Sequence, residues 1–175
     1  MLQKIIKEMV SKLETKLSQP DDVIIEYMDA TSDMYIIAKG ECSVAIVDEK
    51  KKTHNNHRIL RSGDYFGEIS MIYGCRRTAT VSSRKYTTLA LLTRAKYKEI
   101  VTEFPELVGQ LKEGIYKYND RMKKFMKDSI NRIEYFQNVN DDAIHDVLYN
   151  METETMPAGS LLFEPGDETK EMLLI

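Results

Sequence analysis

The chain has 175 residues, 42% of them hydrophobic, with 25 lysines and arginines against 28 aspartates and glutamates, a formal net charge of −3. That is enough apolar material for a core, which excludes disorder as a description of the whole chain, and the length allows one domain or one domain plus part of another. The acidic balance argues against a nucleic-acid binder, whose affinity rests on neutralising phosphates.

At the N-terminus Leu2, Ile5, Ile6, Met9, Val10, Leu13 and Leu17 recur at helical spacing and predict an amphipathic helix ended by Gln19-Pro20-Asp21-Asp22. Lysines and glutamates interrupt that stretch, so it does not read as a signal peptide. No window approaches the ~18 apolar residues of a membrane span, so no direct membrane insertion is expected. Cys42 and Cys75 form neither a C-x-x-C pair nor a disulfide framework, which fits a reducing, cytoplasmic setting.

Short β-rich runs follow: Val23–Tyr27, Met34–Ala38, Cys42–Val47, Arg58–Leu60, Ala79–Ser82 and Thr87–Leu92. Asp29–Asp33, Lys39-Gly40-Glu41 and Ser62-Gly63-Asp64 mark turns between them, and Asp48–His57 reads as a polar hairpin tip. Many short strands at this spacing imply an antiparallel sandwich or barrel. From Arg94 the period becomes helical. Tyr97, Ile100, Val101 and Phe104 predict one helix stopped near Pro105, and Leu107 to Ile130 predicts a second, longer one.

The end of the chain repeats its beginning. An offset of 138 positions aligns Ile5–Ile37 with Ala143–Ile175, with identities including Glu14/Glu152, Glu26/Glu164, Asp29/Asp167 and Met34/Met172. A period this long means tandem domains. The expected division is a first domain over 1–130, its N-terminal part trimmed, and over 131–175 a linker with the opening of a second copy. Leu161–Glu164 and Met172–Ile175 would be that copy's first strands, left without cover. The segment after Asp141 is therefore expected to be poorly ordered or packed against another surface.

The most informative stretch runs from Phe66-Gly67-Glu68 to Arg77-Thr78-Ala79-Thr80-Val81. Gly63 and Gly67 flank a turn through which backbone approaches a ligand closely. A short helix beginning near Glu68 would present unpaired N–H groups to an anion. Arg77 offers a guanidinium fork to a phosphate and Glu68 a carboxylate acceptor, so the pair implies a ligand with both phosphate and hydroxyl groups.

This segment resembles the phosphate-binding cassette of the cyclic-nucleotide-binding domain family, especially protein kinase A regulatory subunits and cyclic-nucleotide-gated channels. Met34-Tyr35-Ile36-Ile37 with Gly40, Ser62-Gly63-Asp64 and the trailing helices extend the likeness from Pro20 to Lys127. The resemblance implies a mainly β fold with flanking helices: an antiparallel, jelly-roll-like β-barrel with an N-terminal helix, a short cassette helix and two C-terminal helices. It implies a ligand, cAMP or cGMP, and no further cofactor. The ligand-binding set it implies is Gly67, Glu68, Ile69, Ser70, Arg77, Thr78 and Ala79. Glu68 takes the ribose 2′-hydroxyl and Arg77 the cyclic phosphate. Backbone N–H groups of Gly67 and Ser70 reach ribose or phosphate, Ala79 packs beside the phosphate, and Thr78 holds the place where a hydroxyl bonds guanine or phosphate.

By the same resemblance the chain is a sensor, not an enzyme. Its partner is a regulated domain such as a kinase catalytic subunit or an ion-channel pore domain, the latter placing it on the cytosolic face of a membrane. The alternative is a degenerate copy that keeps the fold as an interaction or scaffold domain, with Glu68 and Arg77 as a structural ion pair. Two departures stand out: Met28 where the family usually has glycine, and Arg76 where kinase subunits often have proline. Arg76 reads as solvated charge. His54 and His57 lack the further ligands a metal needs, and Cys75, beside two arginines, is either a loop cysteine or a low-pKa thiol. Tyr116, Tyr118 and Phe125 read as core or interface residues, one of which would alternatively cap the nucleotide base.

Overall fold

The structure, a computed structural model, describes residues 2–48, 53–54, 58–116, 121–151, 156–168 and 173. The first helix, α1 (Leu2–Lys12), stops short of the apolar pattern that predicts it. Glu14–Ser18 is instead a strand, β1, paired antiparallel with β10 (Thr87–Leu92) from Glu14↔Leu91 to Ser18↔Thr87. Leu17 is 75% exposed, so no core contact favours extending the helix through it. Strand pairing satisfies the backbone there and suits Thr15. Along α1, Ile5 is buried and joins Met9 and Leu13 in a cluster with Tyr97, Ile100 and Phe104. Ion pairs Lys4–Glu103 and Lys12–Glu99, both 2.7 Å, tie α1 to α3 (Arg94–Glu103).

The remaining strands are β2 (Val23–Ile25), β3 (Met34–Lys39), β4 (Glu41–Ala45), β5 (Val47–Asp48), β6 (Thr53–His54), β7 (Arg58–Arg61), β8 (Tyr65–Phe66) and β9 (Thr80–Ser83). Two four-stranded antiparallel sheets result, in the orders β1-β10-β3-β8 and β2-β9-β4-β7, and β5 pairs with β6. This is the jelly-roll form of the expected barrel. Among the described residues strand pairing stays within each sheet, so the two sheets stack and do not close into a cylinder. One apolar cluster joins them: Tyr35, Ile37, Phe66 and Leu89 from the first meet Ile25, Cys42, Leu60 and Val81 from the second. Alternation along the strands sends these side chains inward.

A short helix, α2 (Glu68–Tyr73), bridges β8 and β9. After α3, Pro105 breaks the helical run because it lacks an N–H and restricts the residue before it. Phe104 accordingly leaves helical geometry, at φ −131 and ψ 72. The long helix expected over Leu107 to Ile130 is described as α4 (Glu106–Tyr116) and α5 (Arg121–Asn131), and 117–120 lie outside the described residues. A 3-10 turn at Glu134–Phe136 leads to α6 (Asp141–Asn150), whose first turn is capped by Asn140, its Oδ1 accepting from Ala143 N at 2.8 Å.

The helix α6 docks on the first part of the chain. Its Ile144 and Leu148 pack with Ile130 and Met126 of α5. Tyr149 stacks on Tyr73 of α2 with ring centroids 4.2 Å apart, beside Ile115 of α4. Lys112 of α4 pairs with Asp146 at 3.1 Å.

Beyond α6 the expected strand Leu161–Glu164 does not form. Residues 156–168 contain turns but no strand, and Leu161, Leu162 and Phe163 are exposed. A strand needs a hydrogen-bonded neighbour, and their apolar pattern alone does not supply one. Most of Met172–Ile175 lies outside the described residues.

The turns nevertheless match those 138 positions earlier. Ser160 N donates to Pro157 O at 3.1 Å as Asp22 N does to Gln19 O at 3.2 Å, and Asp167 N to Glu164 O at 3.1 Å as Asp29 N does to Glu26 O at 3.2 Å. Left-handed residues also coincide: Asp21 (φ 67) with Gly159 (φ 86), and Met28 (φ 67) with Gly166 (φ 105).

Candidate functional site

The segment between β8 and β9 is shaped by its glycines. Gly67, at φ 85, turns the chain into α2, and Gly74, at φ 75, ends that helix with its N–H on Ser70 O at 3.0 Å. A Cβ on Gly67 would lie 2.6 Å from Asp33 O and 2.9 Å from Arg77 Nη1. No other residue fits there without moving backbone. The loop from 75 to 79 thus folds back until Arg77 meets the turn that begins α2.

Arg77 is 2% exposed. Its Nε donates to Thr31 Oγ1 and its Nη1 to Gly67 O, both at 3.1 Å. Thr31 Oγ1 in turn donates to Asp29 Oδ2 at 3.0 Å. Backbone bonds lock the same two segments together: Arg77 N to Asp29 O and Met28 N to Arg77 O, each 2.9 Å. The third guanidinium nitrogen, Nη2, is buried with no hydrogen-bond partner among the described residues. Burial pushes the Arg77 pKa below the usual arginine range, while Tyr35, Asp33 and Asp29 act the other way. The group stays cationic, and a buried cationic donor without an acceptor is costly. An anion on Nη2 would remove that cost.

The other sequence-derived positions gather around it. Glu68 (3% exposed) and Ser70 (1%) are buried in α2, and Ile69 beside them is half-buried. Ser70 Oγ donates to Arg76 O at 3.4 Å, a long bond that ties α2 to the returning loop. Thr78 and Ala79 are half-buried where the loop enters β9. Glu68 and Ser70 thus lie in the short helix that opens at Gly67, the residue whose carbonyl Arg77 holds.

The structure bears on three further positions. Met28 keeps the turn by adopting φ 67, so glycine is replaced there at the cost of strain, not of geometry. Arg76, read as solvated charge, is exposed, and it also donates from Nη1 to Met28 O at 3.2 Å, steadying that same turn. Burial raises the Cys75 thiol pKa, outweighing Lys123 and Arg77, so a low-pKa thiol is not formed. Thr31 was not singled out by sequence, because its bond to Arg77 spans 46 residues. His57, Tyr118 and the side chains of His54, Tyr116 and Phe125 lie outside the described set. Among the described residues no group of three or more His, Cys, Asp or Glu side chains is arranged to hold a metal ion, and no helix is long and apolar enough to cross a membrane.

The family model of the cyclic nucleotide-binding domain matches residues 16–104, half of the chain, including every residue of this turn. The chain belongs to the cyclic nucleotide-binding domain family. Among its relatives, cyclic nucleotide-gated channel alpha-3 of Homo sapiens is 34% identical over 115 residues, covering 62% of this chain and 16% of that protein. The corresponding figures for channel alpha-4 of Mus musculus are 30% over 115 residues, 62% and 19%. The match thus spans under a fifth of those channels' length. Solved structures share the fold. The regulatory domain of Toxoplasma gondii PKA, co-crystallised with cAMP, gives a TM-score of 0.60 at 19% identity, over 66% of this chain and 43% of that one. The catabolite activator protein of Thermus thermophilus gives 0.60 at 19%, over 74% and 62%.

Proposed function

We propose that this domain binds a cyclic nucleotide, cAMP or cGMP, at the turn formed by Gly67, Glu68, Ile69, Ser70, Arg77, Thr78 and Ala79. Arg77 receives the cyclic phosphate, Glu68 the ribose 2′-hydroxyl, and backbone N–H groups of Gly67 and Ser70 complete the cradle. The observation that carries the reading is the buried Nη2 of Arg77, a cationic donor without an acceptor among the described residues, beside a glycine that admits no side chain. Arg77→Ala should weaken binding by about 2–5 kcal/mol, the scale for removing one member of a buried charge pair. Calorimetric titration of both nucleotides into wild type and variant, with melting curves to verify folding, provides the test. Equal affinities would end the assignment.

We read the domain as a sensor controlling a neighbour, such as a kinase catalytic subunit or the pore domain of an ion channel at the cytosolic face of a membrane. Support comes from α2, which begins with Glu68 at the proposed nucleotide turn and ends with Tyr73, where Tyr149 of α6 stacks. Nucleotide that holds α2 differently changes the surface on which α6 rests, and the shift is as large as the ligand's differential affinity for the two arrangements. We further propose that 1–130 is one cyclic nucleotide-binding domain and 131–175 the opening of a second, supported by the turns and left-handed residues that recur 138 positions apart.

A scaffold domain without ligand is the competing reading. It is favoured by the two bonds Arg77 already makes to Thr31 and Gly67, which give the arginine a structural role. The same titration separates the two.

A further inference from the structure

The chain Arg77–Thr31–Asp29 does more than close a turn. Thr31 Oγ1 accepts from Arg77 Nε at 3.1 Å and stands 3.0 Å from Asp29 Oδ2. A hydroxyl has one proton and two lone pairs. With the proton committed to the carboxylate, the lone pairs are left for the guanidinium. Asp29 is thereby held one hydrogen bond away from the cation instead of against it. A carboxylate bonded directly to Nε would neutralise Arg77 and compete with an incoming phosphate, whereas an apolar side chain would leave Nε unpaired and the guanidinium free to rotate. The threonine avoids both outcomes. Gly67 O holds Nη1 from the opposite edge at 3.1 Å, so the planar group is fixed at two corners and its third, Nη2, is buried without a partner among the described residues.

We infer that Thr31 is a positioning residue for phosphate recognition: its hydroxyl, oriented by Asp29, fixes the Arg77 guanidinium with Nη2 presented to the ligand while leaving the arginine's charge unquenched. The inference rests on the reading of Arg77 as the phosphate residue. Thr31 and Asp29 are both exposed in the turn between β2 and β3, so water competes for these bonds and substitutions there do not disturb the core.

The test compares Thr31→Val, which keeps the branched shape and removes the hydroxyl, with Thr31→Ser, which does the reverse. Calorimetric titration with cAMP and cGMP should show about fivefold weaker binding for Thr31→Val, within the range for one hydrogen bond in a partly hydrated site, and near wild-type binding for Thr31→Ser. Melting curves should place all three proteins close together. Should Thr31→Val melt far below wild type, the comparison passes to Thr31→Ala, which removes the hydroxyl without placing an apolar branch in the turn, and which should also weaken binding. Unchanged affinity in whichever of these two is folded, or equal loss in Thr31→Val and Thr31→Ser, would overturn the inference while leaving Arg77's assignment intact. Absence of binding by wild type would overturn the assignment itself.

Discussion

Met28 occupies a backbone position that needs a positive φ, and it adopts 67 with its side chain 42% exposed. A left-handed conformation costs a residue with a Cβ about 1–2 kcal/mol. That strain sits next to the turn that holds Arg77, since Met28 N and Asp29 O both bond Arg77's backbone and Arg76 holds the Met28 carbonyl. Gly166 stands at the corresponding place 138 residues on, at φ 105. Met28→Gly should therefore stabilise the protein. The relieved strain is offset by the roughly 0.5–1 kcal/mol of extra unfolded-state freedom that glycine brings, for a net gain of up to about 1.5 kcal/mol. A denaturant titration measures this directly, and a lower midpoint for the variant would show that the methionine side chain contributes packing that outweighs its strain.

Helix α6 is held to α2 by an aromatic stack and to α5 by aliphatic packing. Tyr149 lies between the Tyr73 ring and the Lys123 ammonium, which sits 4.0 Å from its centroid. Such a stack contributes about 0.5–1.5 kcal/mol beyond the area it buries. Tyr149→Ala should therefore speed amide exchange across Asp141–Asn150 by about tenfold or more, and should shift nucleotide affinity if docking and binding are linked. Unaltered exchange would mean that Ile144 and Leu148 suffice to hold the helix.

The same helix should respond to pH. Burial foremost, then Lys127 and Lys123, lower the His145 pKa from its ordinary 6.5, against Asp141 and Asp142. The docked state prefers the neutral imidazole, so its contribution is complete above about pH 6.5 and declines as acidification protonates the undocked form first. Exchange in α6 should be faster at pH 5.5 than at pH 7.5 after correction for intrinsic rates, and His145→Gln should flatten the difference. A pH-independent ratio in wild type would count against it.

Across the whole molecule, legibility followed the range of the interactions. Gly67, Glu68 and Arg77 could be assigned to one turn because they lie within a short stretch, and strands β2, β3, β4, β7, β9 and β10 because alternation and turns are local, whereas β8, only Tyr65–Phe66, is too short to show a period. Strand β1 was misread: Leu13 and Leu17 continue a helical period, and only β10, some 70 residues away, draws Glu14–Ser18 into a sheet. Thr31 was missed because its partner too is distant in sequence, 46 residues on. The strand expected at Leu161–Glu164 was over-read, since an apolar run records a capacity for pairing, not its fulfilment. What those residues do retain is their corners. The bonds Ser160–Pro157 and Asp167–Glu164, with left-handed Gly159 and Gly166, are in place without any ladder between them. Corners encoded this locally close small loops, which costs little chain entropy and takes far less time than bringing distant strands into register. The bends of such a sheet are thus laid down first, and the slow event in its assembly is the meeting of edges that the bends have already aimed.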